Sequence, residues 1–404
     1  MNGGKGASPM TAETSLQKRI KRHVIGRTRE FFIAVSPGLE RVCLEELTGP
    51  PLSIEGAAVL PGGIAFEGRL PDCWRANLHL RTANRILMRI GTFKAATFPR
   101  LQQHLSAIPW ELYLTSDAPP LVHVTAAKSR LHHTGAVAER VLASVGERLR
   151  KWPPTDRVDR DAGGPQRIFV RAEKDRFTLS IDSSGELLYK RGLKTQGGTA
   201  PIRETVAAAA LMLAGYTGRE PLVDPMCGSG TFAIEGAMIA AGIPPGAFRS
   251  FAFMGWPSFA PRKWEYLKKG AESQTTDSGA PRIFASDIDP DVCRSLRSSL
   301  DKTRLSSMID VACRDFFAVV PREITPDKGI VTLNPPYGRR LGTRRRSRAL
   351  FRSVLTHLES AYSGWKIALV APETEWIRDI PFPLSHHVFH HGGIRPTLLI
   401  GAIP

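Results

Sequence analysis

Asn334-Pro335-Pro336-Tyr337 directly follows the apolar run Ile330-Val331-Thr332-Leu333. The Asn334 side-chain carbonyl and the Pro335 backbone carbonyl place two acceptors at a strand's end, and the ring of Tyr337 can lie flat on a base. Such a pair suits the two hydrogens of a planar exocyclic amine. That nitrogen is a poor nucleophile because its lone pair is delocalised into the ring. Binding both hydrogens draws it toward tetrahedral geometry and aims the lone pair, so positioning and electrostatics do the catalysis without a strong general base. Asn334, Pro335, Pro336 and Tyr337 are therefore the candidate catalytic residues. The bland alternative is that an Asn-Pro pair initiates an ordinary turn and the tyrosine only packs.

A second cluster is Asp224-Pro225-Met226-Cys227-Gly228-Ser229-Gly230-Thr231, between a short apolar strand and a helix. Gly228 and Gly230 remove side chains where a ligand must approach backbone, and the helix amino terminus at Thr231 can receive a carboxylate. The pattern is neither the phosphate-cradling GxxxxGK[ST] nor the dinucleotide GxGxxG; an aspartate before a short G-x-G suits an amino-acid-bearing nucleoside better. Cys227 reads as a small buried filler and has no neighbour that would make it a nucleophile. Asp287, beside Ile288 and Asp289, stands where an acid can accept both hydroxyl hydrogens of a ribose; helix capping is the competing role, and fits Asp289 better. Asp315-Phe316 offers an acceptor for an adenine amine beside an apolar ring, although a turn aspartate is as common. The candidate cofactor residues are Asp224, Pro225, Cys227, Gly228, Ser229, Gly230, Thr231, Asp287, Ile288, Asp315, Phe316 and Asn334.

These residues need elements to hold them at one edge. From Pro201 onward the chain alternates: a helix, strand Leu222-Val223, a helix from Thr231, then strands at 282–286, 309–313, 329–333 and 366–371 separated by helices at 291–302 and 347–362. Alternation predicts a doubly wound, mainly parallel α/β sheet whose ligands bind at the strand carboxyl ends, where every motif above falls. The first half predicts α+β structure. It has a strand at 31–35 leading into a helix with Leu39, Val42, Leu44 and Leu47, a strand at 121–127, a helix at 134–149 with Val137, Val141, Val145 and Leu149 spaced at four, and a hairpin from 167–171 and 177–182. Residues 153–165 read as a surface loop and 190–199 as the boundary between the halves.

The chain has 404 residues, 42% of them hydrophobic, enough for two or three domains at about 100 to 200 residues each. Its 55 Lys and Arg against 38 Asp and Glu give a net charge of +17, which favours a polyanion, nucleic acid before an acidic membrane surface. No stretch approaches the roughly 18 apolar residues of a membrane span. Residues 1–28 are polar and basic, without the apolar core of a secretory signal, and read as a flexible arm. Five cysteines without CxxC spacing disfavour a disulfide framework and a metal site, and point to the cytoplasm. Lys128-Ser129-Arg130-Leu131-His132-His133, after a strand, suits phosphate contacts, with a solvated loop as the commoner explanation.

Gly loop, ribose acid, adenine acid and amine receptor, in that order on successive strands, resemble the S-adenosylmethionine-dependent methyltransferases that act on exocyclic amines of guanine or adenine. Segments 81–110, 128–135 and 189–204 extend the likeness to the THUMP-containing guanine-N2 RNA methyltransferases, and Phe251-Ala252-Phe253-Met254-Gly255-Trp256 makes the layout similar to bacterial 23S rRNA enzymes of that group. The resemblance implies a ferredoxin-like module over 29–90, a THUMP module over 91–188 and a Rossmann-like methyltransferase domain over 189–404. It also implies S-adenosylmethionine as cofactor and RNA as partner, 23S rRNA favoured and tRNA possible, with no membrane and no metal. Arg81, Arg85, Lys128, Arg130, His132 and Arg191 are the expected RNA contacts. One departure is the arginine-rich run 339–348, which adds Arg339, Arg344 and Arg345 as contacts beside the site, against a solvated basic loop. Adenine-N6 methylation and a catalytically inactive RNA-binding assembly factor are the alternatives.

Overall fold

The structure, a computed structural model, describes residues 9–152, 164–193, 202–273, 282–301, 303–336, 344–371, 374–390 and 395–404. Two seven-stranded sheets organise them. The first contains β1 (Arg29–Val35), β2 (Ala58–Leu60), β3 (Gly63–Gly68), β4 (Ala83–Lys94), β5 (Leu121–Ala127), β6 (Arg167–Glu173) and β7 (Arg176–Asp182), in the order β2-β3-β1-β4-β7-β6-β5. All its pairings are antiparallel except β5 with β6. Its helices are α1 (Pro9–Ile20), α2 (Glu40–Thr48), α3 (Leu70–His79), α4 (Phe98–Ala107) and α5 (Thr134–Leu149).

Period-two burial of Phe31, Ile33 and Val35 seats β1 on the core, and Val137, Val141, Val145 and Leu149 form the buried stripe expected of α5. Two expectations change. The long strand β4 pairs with β1 over residues 83–88 and with β7 over residues 87–94, so a division at 90/91 cuts a strand and the two modules share one sheet. The flexible arm expected over residues 1–28 is corrected from residue 9 onward; residues 1–8 lie outside the described residues. α1 and the wider turn Lys21–Ile25 fold back with Leu16, Ile20 and Val24 buried at a spacing of four, while Arg19 pairs with buried Glu111 at 2.7 Å. The abundance of charge masked that stripe.

The second sheet contains β8 (Leu222–Asp224), β9 (Ile283–Asp287), β10 (Ile309–Cys313), β11 (Ile330–Leu333), β12 (Lys366–Ala371), β13 (Leu384–Val388) and β14 (Thr397–Ala402), in the order β10-β9-β8-β11-β12-β14-β13. The first five in that order are parallel, as expected; β14 and β13 close the edge antiparallel. Helices α6 (Glu204–Leu213), α7 (Thr231–Ala240), α8 (Pro261–Glu272), α9 (Pro290–Leu300), α10 (Pro321–Ile324) and α11 (Arg344–Ala361) accompany it. Covered on both faces, β11 is buried at every residue, which is why it reads as an unbroken apolar run. Strand order reverses between β8 and β11, and that switch point is where such sheets open a crevice.

The halves are joined by a dense seam. The Arg191 guanidinium meets the buried Glu235 carboxylate of α7 through two bonds, 2.8 and 3.2 Å, and also donates to Arg81 O at 2.7 Å. Arg81 lies 3.9 Å from the same carboxylate and donates to Ile243 O at 2.7 Å. Within the first half, Arg85 pairs with buried Asp182 and donates to Gly185 O at 2.7 Å. These three arginines were expected to meet RNA; the structure instead turns them inward, where they pair with the buried carboxylates of Glu235 and Asp182 and donate to backbone carbonyls. The aromatic insertion is part of this seam. Phe253 stacks on Trp74 of α3 at 5.6 Å, its backbone N–H donates to Ser183 O at 3.0 Å, and Trp256 donates to Gln166 Oε1 at 3.0 Å.

Candidate active site

β8 ends on Asp224, 1% exposed, and neither of its carboxylate oxygens has a hydrogen-bond partner among the described residues. Burial pushes its pKa up to about 8, with the nearby Asp287 charge adding to the rise; the Ala233 backbone N–H, outside hydrogen-bonding geometry, opposes it. An orphaned buried carboxyl is costly, which makes Asp224 a candidate for contact with a ligand cation. The loop that follows is pinned by backbone bonds: Cys227 N to Ser286 O at 2.9 Å and Gly230 N to Cys227 O at 2.8 Å. Its two glycines have different reasons. At Gly230, φ is +74° and a Cβ would stand 2.5 Å from Leu296 of α9, so packing forbids a side chain. At Gly228, φ is +52° and a Cβ would meet nothing within 4 Å, leaving open space over the backbone. Pro225 is buried, Ser229 and Thr231 share a hydroxyl bond of 3.2 Å, and α7 opens at Thr231. Cys227 is buried, and burial drives its thiol pKa upward, which agrees with a filler and not a nucleophile.

On the neighbouring strand β9, Asp287 ties the pieces together. One oxygen accepts from Gly228 N and the other from Asp289 N, both at 3.0 Å, and each retains acceptor capacity. Asp289 caps α9 by accepting from Asp291 N at 2.8 Å, the role expected for it. Ile288 is 68% exposed, an apolar side chain presented beside the acid. After β10, Asp315 accepts from Phe317 N at 3.1 Å. Phe316 requires correction: it is 2% exposed, edge-on to His357 at 4.7 Å, and belongs to the core between β11 and α11. Phe317, 41% exposed, is the ring at the surface there. In a Phe-Phe pair only the three-dimensional turn decides which ring faces out.

Asn334 leaves β11 half-buried, followed by buried Pro335 and half-buried Pro336. β11 pairs with β8, Val331 opposite Val223, so Asn334 emerges on the same sheet edge as Asp224. Across that edge the order is Asp315, Asp287, Asp224, Asn334, following β10-β9-β8-β11. Tyr337 and Arg339 lie outside the described residues, as does the side chain of Arg344.

Of the expected phosphate contacts, Lys128, Arg130 and His132 are exposed on the loop after β5. Arg130 is 78% exposed and only 3.9 Å from Asp175, a loose pair, and the His132 and His133 rings lie 4.3 Å apart. Arg345 is exposed on the first turn of α11. On the same helix Arg348 and Arg352 hold Asp379 at 2.7 and 3.0 Å, keeping its carboxyl well below the usual range.

The RMKL-like methyltransferase domain model of UPF0020 matches residues 191–379, and the RlmL ferredoxin-like domain model matches residues 30–87. The chain is 31% identical over 353 residues to the "Ribosomal RNA large subunit methyltransferase K/L" of Psychromonas ingrahamii, covering 85% of this chain and 46% of that protein. The chain thus spans about half the length of the K/L relatives it matches. It is 32% identical over 327 residues to the "Putative RNA methyltransferase YpsC" of Bacillus subtilis, covering 80% of this chain and 83% of that one. Among solved structures, a putative methyltransferase complexed with SAH superposes with a TM-score of 0.81 at 26% identity, over 94% of this chain and 99% of that one. With the motif order on the sheet edge and a relative of matching length, the chain belongs to the RMKL-like UPF0020 family of methyltransferases.

Proposed function

We propose that the chain transfers a methyl group from S-adenosylmethionine to the exocyclic N2 amine of a guanine in structured RNA, with 23S rRNA the favoured substrate. The observation that carries this reading is the amine receptor Asn334 emerging beside a buried acid, Asp224, that has no partner among the described residues. The cofactor, when bound, supplies an electrophilic methyl on a sulfonium. Asp224 is buried and without a hydrogen-bond partner among the described residues, and an ammonium beside it would favour its ionised form; Gly228 has open space over its backbone, and Asp287 has acceptor capacity left for ribose hydroxyls. Asp315 and exposed Ile288 and Phe317 suit an adenine amine and ring.

The target base would leave its stack at a cost of roughly a few kcal/mol. Asn334 and the Pro335 carbonyl then accept the two amine hydrogens, and Tyr337 is assigned the stacking surface. Lys128, Arg130, His132 and Arg345 are assigned to phosphates, with the first sheet serving as the THUMP-containing RNA module. Ribosomal RNA is supported by the K/L relatives' name, and guanine by the resemblance to the THUMP-containing guanine-N2 enzymes alone; the receptor itself would accept an adenine amine equally well.

Asn334→Ala tests the reading. Turnover on RNA is expected to fall by about 100-fold or more, the scale of losing one positioned polar group at the reacting centre, while S-adenosylhomocysteine binding is unchanged. A variant with full activity removes Asn334 from the chemistry.

A further inference from the structure

Two thiols converge behind the turn that carries Asp287. Cys293, in the first turn of α9, is buried, and its Sγ lies 3.5 Å from Asp287 O and 3.4 Å from Ala312 O, donating to one or the other. Cys313 ends β10 directly opposite Asp287 in the parallel register, is exposed, and donates to Ile288 O at 3.7 Å. Alternation along β10 puts Cys313 on the same face as buried Val311, which packs in one cluster with Cys293, Leu296 and Leu300 of α9. The two thiols therefore sit on the same stretch of backbone: Cys293 Sγ lies on the carbonyl that precedes Cys313, and the two sulfurs lie on the carbonyls of the consecutive residues Asp287 and Ile288.

We propose that Cys293 and Cys313 are a redox-sensitive pair that forms a disulfide with a hydroperoxide and thereby weakens cofactor binding; the second half of this statement rests on the reading of Asp287 as the ribose acid. Exposure orders the steps. The Cys313 thiolate attacks a peroxide oxygen; an S–O bond forms, the O–O bond breaks, and with hydrogen peroxide the other oxygen leaves as water. The Cys293 sulfur then attacks the sulfenic sulfur, the S–S bond forms, and the hydroxyl leaves as water with the Cys293 proton. Two thiols lose two electrons, one peroxide gains them, and two waters result. Burial holds Cys293 protonated and unreactive until its partner is oxidised. The bridge ends both thiol donations into the Asp287–Ile288 backbone and ties β10 to α9 across the turn that aims the carboxylate. Because linkage is reciprocal, bound cofactor would also make the pair harder to oxidise.

The test uses the full chain, hydrogen peroxide and S-adenosylhomocysteine. Peptide mapping without reductant is expected to find a Cys293–Cys313 bridge. Calorimetry is expected to find affinity lowered about tenfold, equivalent to about 30 mV in the potential of the pair, and restored by dithiothreitol. Cys313→Ser and Cys293→Ala should each bind like the reduced protein and be insensitive to peroxide; Cys313→Ser, at an exposed position, guards against a folding defect in the other. A bridge through Cys227, thiols oxidised without a bridge, or a Cys293–Cys313 bridge that leaves affinity unchanged would overturn the proposal. Reduced protein that binds no S-adenosylhomocysteine would overturn the cofactor reading, and with it the affinity effect, while the peptide map still decides the thiol pair.

Discussion

Asp224, before the loop, and Glu235, midway along the α7 helix that follows it, are both buried carboxyl groups, and their surroundings are opposite. Glu235 is gripped by Arg191 through two bonds with Arg81 behind it, at the seam between the sheets. Asp224 has no partner among the described residues and stands on the open edge of the second sheet. Burial of a charge is costly in either place. Where the protein pairs the carboxylate, the group holds structure together; where it leaves the carboxyl without a partner, the group is the proposed contact for a ligand. The same contrast sorts the arginines. Those with several protein acceptors are used inside the protein, Arg81, Arg191 and Arg249 between the halves and Arg85 within the first, whereas Lys128 and Arg130 are exposed and are the proposed phosphate contacts.

The contrast breaks most visibly at the seam. Arg191→Ala leaves Glu235 buried with Arg81 alone at 3.9 Å, and a loss of about 3 kcal/mol in unfolding free energy is expected, read by chemical denaturation. An unchanged denaturation midpoint would mean that the pair is dispensable. Asp224→Asn should have little structural cost and a large effect on binding, weakening S-adenosylhomocysteine by about 2 kcal/mol or roughly thirtyfold. The same variant sharpens the contrast through pH. The raised native pKa of Asp224 means that the folded protein keeps a proton the unfolded chain has released. Its contribution to stability is therefore full below about 3.8 and lost as pH rises toward about 8. Thermal denaturation between pH 5 and 8 should decline more steeply for wild type than for Asp224→Asn; parallel curves would show that the acid titrates normally. The smallest effect is expected outside. Lys128→Glu with Arg130→Glu should reduce the slope of log affinity for RNA against log salt by about 2, with S-adenosylhomocysteine binding unaffected. An unaltered slope would leave that loop solvated and uninvolved.

The placement of the candidate residues on one edge of the second sheet was legible in the sequence because its information is local. Parallel strands buried on both faces read as apolar runs, and each ends within a residue or two of its polar group, as β8 does at Asp224 and β11 at Asn334. The seam was not legible, because Arg191 and Arg81 find Glu235 only after the chain has folded across 44 and more residues, and a basic residue in a basic chain gives no sign of a distant acid. Phe316 and Phe317 differ by one residue's rotation about a capped turn, a distinction composition does not carry. The α1 stripe of Leu16, Ile20 and Val24 was present at helical spacing and was outweighed by surrounding charge. Continuity of the first sheet through β4 depends on strand pairing, which two separately read modules do not reveal.

Under the proposed function, the Asn334 edge methylates a guanine amine in ribosomal RNA. The direct measurement is mass spectrometry of nucleosides from rRNA and tRNA, purified separately from cells with and without this protein and from cells carrying Asn334→Ala. The account predicts N2-methylguanosine in 23S rRNA that disappears in both deficient strains. A loss confined to tRNA, a loss of N6-methyladenosine instead, or no difference in any methylated nucleoside would contradict it.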